Sequence, residues 1–344
     1  MSKKGIQLSH SASQKFLECG MKYKLHYINR IRPVKLGSAL FFGGAVDEAL
    51  NVLLESKKQI VTYDFDESVS VLQHAMDEFD TQWIKQLENP NIEYFKSDIM
   101  VYTKKDDDGN YIKFEIDPII LDAKDDFLEF DPEVQDHNKF MQECFEILEK
   151  KDTLSEEDQA LYNRIAWWSL YQKGLMLIEA YNNDILPQIH TVFDIQKKVE
   201  LPDEHGNNLI GYIDAIVSFI DAPDKKVVLD NKTSSKPYKD DSVAESPQLT
   251  TYCEHEGLKT ASYAVVEKTI RKREPRTRTQ LIIDKIPEKT FDKTFEEYDN
   301  VLEGIENEEF DKNYESGCFS FGRPCDYYAY CRSNGKNMNG LEKK

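Results

Sequence analysis

The chain has 344 residues, 40% of them hydrophobic, which is enough for one elaborated domain or two modest ones with a sizeable core. Its 44 Lys and Arg against 63 Asp and Glu leave a net charge of −19, so the surface as a whole cannot attract nucleic acid and any such contact must be local. With no apolar run of spanning length and no charged-then-apolar leader, a soluble protein of the cytoplasm without a membrane segment is expected.

From Ser11 to Ile28 a serine-rich start followed by Phe16, Tyr23 and Tyr27 predicts a helix. A second helix is predicted to begin after Gly43-Gly44 and to carry Ala45, Val46, Ala49 and Leu50. From about 60 to 188 the chain is acidic, notably at Asp106-Asp107-Asp108 and between Asp122 and Asp136, and mostly helical in pattern. This stretch has a capped start at Ser155-Glu156-Glu157 and packing aromatics Trp167, Trp168 and Tyr171. It holds no recognisable chemistry and reads as an insertion.

Near residue 190 the texture changes. Val192 to Leu201, Leu209 to Ile220 and Val227 to Leu229 are rich in β-branched residues, and the segments 203–208 and 221–224 between them carry turn chemistry. A three-strand meander is predicted. A short helix follows, with Ser246 suited to the N-cap, Pro247 to the first helical position and Gly257 to the residue past its end. Strands are predicted from Ser262 to Lys268 and from Thr279 to Ile286, then a helix from about Lys289 to Glu306. Lys268, Arg271, Lys272, Arg273, Arg276 and Arg278 lie between those strands, either as a phosphate-tracking surface or as a solvated loop. Without the insertion the order is helix, three strands, helix, strand, a compact α/β core within one domain spanning 1–344.

The pattern acid-x-Lys carries little information in a chain this charged, since Glu55-Ser-Lys57, Glu149-Lys-Lys151 and Asp224-Lys-Lys226 also match it. Context selects Asp230-Asn231-Lys232. It ends the apolar run Val227-Val228-Leu229, so alternation puts the carboxylate and the ammonium on one face of a strand end. With a turn centred near Ala222, Asp214 of the preceding strand lies almost directly across from Asp230. Two like charges that close destabilise a hairpin unless a cation bridges them or nearby Lys225, Lys226 or Lys232 satisfies them. Oxygen ligands suit Mg²⁺ or Mn²⁺, and an ion there with Lys232 beside it points to phosphodiester hydrolysis. Asp122-Ala-Lys124 is a rival site, but its neighbouring acid Asp117 leaves no room for a hairpin.

Gly211-x-x-Asp214, Asp230-x-Lys232 and Gln248-x-x-x-Tyr252, in that order, resemble the motifs of the PD-(D/E)XK nuclease superfamily, in particular its RecB-like branch, related to CRISPR-associated exonucleases. The resemblance implies a restriction-endonuclease-like αβββαβ core with the catalytic sheet and motif helix at 190–286 and the insertion at 60–188. It implies Asp214, Asp230 and Lys232 as catalytic residues and Gln248 and Tyr252 beside the catalytic lysine and the DNA backbone. The family's first motif often supplies a metal-binding His after a Gly-rich helix start; Gly44-Ala45-Val46 is followed here by Asp47, which can ligate Mg²⁺, with Glu48 as the alternative. The activity implied is a Mg²⁺- or Mn²⁺-dependent DNA exonuclease of recombination, repair or phage DNA processing, acting on single strands or duplex ends. A helicase or recombinase partner would supply any unwinding. The alternative is a non-catalytic DNA-end-binding or adaptor subunit of the same fold.

Six cysteines in a long chain without a leader argue against a disulfide framework. Cys318, Cys325 and Cys331 occupy a closing segment at 316–334, with six and then five residues between them, and Cys19 lies far upstream. This is similar to iron-sulfur nucleases of the RecB-like branch, in which one N-terminal and three C-terminal cysteines hold a [4Fe-4S] cluster. The first gap is wider than is usual there, and zinc or free thiols are the alternatives. Cys144 and Cys253 read as buried small hydrophobes within helices.

Overall fold

The computed structural model describes residues 5–344 except 59, 61, 62, 67, 88, 100, 101, 106–110, 115–153, 269–276, 315, 316, 321 and 322, and only the backbone of 102–105, 111–114 and 320. The chain opens with β1 (Gln7–Ser9), α1 (His10–Glu18), α2 (Gly20–Tyr23), β2 (Ile31–Pro33), β3 (Leu36–Gly37), α3 (Ser38–Glu55) and α4 (Val71–Ile84). Short strands β4 (Ile92–Glu93), β5 (Tyr102–Lys105) and β6 (Tyr111–Phe114) precede the long α5 (Glu156–Ala180). Then come β7 (Ile189–Pro202), β8 (Asn208–Phe219), β9 (Ala222–Ser234), α6 (Pro247–Glu256), β10 (Thr260–Glu267), β11 (Thr279–Lys285) and α7 (Glu288–Glu306). β12 (Phe319–Ser320), β13 (Arg323–Pro324), α8 (Tyr328–Arg332) and β14 (Leu341–Lys343) close it.

β8 and β9 are apolar at nearly every position of their paired stretch because both faces are covered. Ala215, Val217, Phe219, Val227 and Leu229 point into a core shared with α3, α4 and α5. Ile216 and Val228 point to the other side, against Leu249, Tyr252 and Cys253 of α6 and Phe291 of α7. The result is a mixed sheet between two helical layers. β7 and β8 are antiparallel, as are β8 and β9, whereas β9 and β10 run parallel through the α6 crossover, and β11 returns antiparallel to β10.

β1 completes the sheet and sets up the site. It pairs parallel with Asn208–Ile210 of β8, on the side that β9 occupies further along, where the ladder runs through Ala215↔Leu229 to Val217↔Val227. Between these two pairings Gly211, Tyr212, Ile213 and Asp214 have no ladder partner on that side. The sheet therefore forks at this stretch.

Several expectations change. The predicted first helix is interrupted at Cys19, whose extended backbone (φ −170, ψ 112) separates α1 from α2. The second helix starts at Ser38, with Gly43 and Gly44 inside it rather than before it. Glycine disfavours a helix by about 1 kcal/mol per residue, and the burial of Phe42, Val46, Leu50, Leu53 and Leu54 outweighs that. The hairpin turn is tighter than predicted: Phe219 pairs with Ala222, so Ile220 and Asp221 make the turn and Pro223 already lies in β9. The region before residue 188 is helical in its described α4 and α5 but also contributes β4, β5 and β6. Ser155 caps α5 as predicted, its hydroxyl accepting from the Asp158 amide. α4 and α5 lock together through Trp83 and Trp167, each indole N–H donating to the other's backbone carbonyl at 3.1 and 3.2 Å. Among the described residues no helix is long and apolar enough to cross a membrane.

Candidate active site

The site forms where the fork opens. Extending the β8–β9 register by one step from Ala215↔Leu229 puts Asp214 opposite Asp230, but the strands have parted there. Instead the Asp214 carboxylate accepts the freed backbone N–H of Asn231 at 2.7 Å. β9 continues on its other edge, with Asp230 beside Tyr263 and Lys232 beside Val265 of β10. The strand end is thus held rigidly while its β8 side is left open.

α6 closes this opening from one flank. Ser246 caps it by accepting from the Leu249 amide at 3.2 Å, and Gly257 ends it in the left-handed region at φ +66. In its first turn, Gln248 Oε1 accepts from Lys232 Nζ at 3.2 Å, and its Nε2 donates to the Tyr252 hydroxyl at 3.0 Å. Gly211 is explained by this helix: a Cβ there would stand 2.9 Å from the Tyr252 ring, so only glycine lets the ring lie on the open backbone of β8. α3 closes the other flank. A cleft of ≈ 360 Å³ is lined by Leu40, Gly43, Gly44 and Asp47 of α3 together with Asp214, Asp230, Asn231, Lys232 and Gln248.

Three carboxylates and one ammonium share this space. Asp230 is 1% exposed and paired with Lys232 at 2.5 Å. Its pKa is nevertheless raised by burial, against the lowering effect of Lys232. Asp214 is raised well above the usual carboxylate range by burial and by the charges of Asp230 and Asp47. Burial, then Glu48 and Asp230, lift Asp47 to about 6, with Lys232 and Gln196 opposing. Burial disfavours the Lys232 ammonium, but Asp230 and Asp214 overcome this and raise its pKa.

The fork brings together all six residues read from the sequence as motif positions: Asp47, Asp214, Asp230, Lys232, Gln248 and Tyr252. Others were not singled out. Gln196 of β7 donates from Nε2 to Asp47 Oδ2 at 3.2 Å. Tyr181, wholly buried, donates to Asn231 Oδ1 at 3.0 Å and steadies the middle residue of Asp-Asn-Lys. His10, at the start of α1, meets the Tyr298 hydroxyl at 3.3 Å, and burial followed by Lys232 lowers its pKa. None of the three sits in a spacing that marks it; each is recruited by tertiary packing. The rival Asp122-Ala-Lys124 and Cys144 lie outside the described residues, as do positions 269–276 of the basic segment.

The four candidate cluster cysteines gather in a separate corner. The Cys325 amide donates to the Cys318 carbonyl at 2.8 Å, and the Asn313 amide to Cys19 Sγ at 3.4 Å. Cys331 is raised by burial and feels Cys325, Cys19 and Cys318, so all four lie within electrostatic range. Among the described residues no three His, Cys, Asp or Glu side chains are already drawn together as a metal site, in this corner or in the cleft. Cys253 is buried in α6, as expected of a small hydrophobe.

A family model, that of the PD-(D/E)XK nuclease superfamily, matches residues 121–332, more than half of the chain. The chain belongs to the PD-(D/E)XK nuclease superfamily. The matched span of this PD-(D/E)XK protein contains Asp214, Asp230, Lys232, Gln248, Tyr252 and the three C-terminal cysteines, whereas Asp47 and Cys19 precede it. Its superfamily makes nuclease action on DNA the activity class, and such nucleases generally use Mg²⁺ or Mn²⁺. No curated protein matches the chain.

Proposed function

We propose that this chain is a Mg²⁺- or Mn²⁺-dependent DNA exonuclease of the RecB-like branch, with α3, β7, β8, β9, α6 and β10 as its αβββαβ core. The supporting observation is that Asp214, Asp230 and Asp47 meet Lys232 and Gln248 in one cleft. The donor set fits a hard divalent ion: beyond burial, the charge of Asp230 raises both Asp214 and Asp47, that of Asp47 raises Asp214, and only one ammonium faces the three, an excess of negative charge that a cation relieves. Asp214, Asp230 and Asp47 would hold the ion, which when bound supplies Lewis-acid polarisation of a phosphate oxygen and a water of lowered pKa.

The remaining chemistry belongs to the chain. Lys232 stays an ammonium because Asp230 and Asp214 surround it, and Gln248 Oε1 takes one of its three N–H donors. A remaining donor can meet a non-bridging phosphate oxygen as negative charge builds there during water attack on phosphorus. The new P–O bond to water forms as the ester P–O bond breaks, and the departing sugar oxygen takes up a proton. Gln248 and Tyr252, tied to each other, keep the lysine aimed.

The type and number of thiols, one N-terminal and three C-terminal, support the reading of a [4Fe-4S] cluster held by Cys19, Cys318, Cys325 and Cys331, and Lys22 near Cys325 and Lys312 near Cys331 would offset its negative charge. Its role would be to staple the two ends of the domain. We place its work in the cytoplasm, on DNA ends or single strands in recombination, repair or phage DNA processing, alongside a helicase or recombinase.

The test is digestion of 5′- and 3′-labelled single-stranded and duplex DNA with Mn²⁺, comparing wild type with Asp230→Ala and Lys232→Ala. Progressive shortening from an end, lost in both variants, is the expected result. DNA binding with no cleavage under any divalent ion would instead identify an end-binding subunit.

A further inference from the structure

Gln196 has a backbone that its sequence does not call for. At φ +52 it lies in the left-handed region, which L side chains rarely adopt and which is most unusual inside a strand. It sits between Ile195, paired with Ala215, and Lys197, paired with Ile213, and the ladder passes over the step that would set it against Asp214. Glycine would take this conformation without strain. The chain has glutamine, and its amide donates to Asp47 Oδ2 at 3.2 Å. Among the described residues this is the only hydrogen bond to the Asp47 carboxylate.

The geometry points to Gln196 as a positioning residue for Asp47, holding that carboxylate toward the cation site in the cleft. The inference rests on the proposed reading that Asp47, Asp214 and Asp230 hold the ion. Two features of its chemistry support it. A carboxylate that ligates a metal is oriented by an outer hydrogen bond to its other oxygen, so the outer group must be a donor, which an amide is. The amide is also neutral, so it fixes the carboxylate without competing with the cation for its charge, as a lysine or arginine there would. Strain retained beside a candidate ligand, and directly across from a second one, is the pattern of a residue held for its side chain rather than for its backbone.

The two roles separate experimentally. Gln196→Gly removes the amide and relieves the backbone; Gln196→Asn tolerates the left-handed conformation but is one methylene too short to reach Asp47 in the same way. Mn²⁺ binding to the full chain without DNA, read by electron paramagnetic resonance, is compared with thermal unfolding in metal-free buffer. The expected result is about ten-fold weaker Mn²⁺ binding in both variants, with Tm raised by about 2 °C in Gln196→Gly. Unchanged Mn²⁺ affinity in Gln196→Gly would overturn the inference, as would weakened binding accompanied by a fall in Tm. Asp230→Asn serves as the reference: if it abolishes binding while Gln196→Gly does not, the metal site stands and only the role of Gln196 fails. If wild type itself binds no Mn²⁺, both readings fall together.

Discussion

Asp47, Asp214 and Asp230 share one ammonium, and that imbalance fixes how the site responds to pH. Asp47 titrates at about 6 in the folded chain against an ordinary value of 3.8. A carboxyl whose pKa is raised by folding stabilises the fold most below its unfolded pKa, and that contribution is lost as pH rises through its folded value. Asp214 and Asp230 shift in the same direction. The metal-free protein is therefore expected to lose stability between about pH 4 and pH 7, and Mn²⁺ to restore more of it at the upper end, where no proton competes for the oxygens. Differential scanning calorimetry with and without Mn²⁺ across this range checks it; a Tm gain that shrinks with pH would contradict the carboxylate assignment. Lys232→Met, close in size but without charge, should lower digestion by about 100-fold or more, measured as initial rate on end-labelled DNA, and should lower the Tm of the metal-free protein at neutral pH because buried Asp230 loses its partner.

The elements matter for how firmly they hold these side chains. α6 carries Gln248 and Tyr252, and its frame was legible because each end has its own chemistry: a serine that accepts an amide, a proline whose fixed φ suits the first turn, and a glycine at positive φ. Ser246 also meets the Tyr263 hydroxyl at 2.6 Å, tying the helix to β10. Ser246→Ala should cost about 1 to 2 kcal/mol, read by urea unfolding. The fork in β8 gives a sharper test. Gly211→Ala should destabilise by about 1 to 3 kcal/mol because its methyl meets the Tyr252 ring, yet cost little in a Tyr252→Ala background, where the ring is gone. A double-mutant cycle in urea measures the difference, and additive effects would rule out the contact as the cause.

Over the whole molecule, the two ends are held together by more than cysteines. β14 pairs with β2, Tyr327 donates to the Ile31 carbonyl at 3.0 Å and meets His26 at 2.9 Å, and the backbone at Glu309 and Phe310 crowds Gly20 too closely for any Cβ. This corner is remote in sequence from the cleft but joined to it through α1 and α7, which pack Ala12 and Phe16 against Val301, Leu302 and Ile305. Loss of the proposed cluster should therefore loosen a corner that still has its own contacts rather than unfold the chain. Cys331→Ser is expected to lose the broad visible absorbance of an anaerobic preparation and to expose the C-terminal segment to limited proteolysis. A colourless wild-type protein with stoichiometric zinc would instead assign a zinc staple.

The sequence by itself determined the frame of α6 through local capping chemistry. It set Asp214 across from Asp230 on a turn centred near Ala222, whereas the turn lies at Ile220-Asp221 and only the register shift between Phe219↔Ala222 and Val217↔Val227 brings in the Ala215↔Leu229 register that aligns the two acids. It also marked Asp47, Gln248 and Tyr252 as members of one motif set. It could not show that β8 and β9 part at Asp214, since that depends on β1, some two hundred residues earlier, taking the edge of β8 that β9 gives up. Nor could it show that α3 runs straight through Gly43 and Gly44, where buried apolar side chains on the sheet override an unfavourable local preference. Gln196 is the extreme case. Nothing in Asp-Ile-Gln-Lys-Lys marks it, and only the crossing of α3 over β7 brings its amide to Asp47.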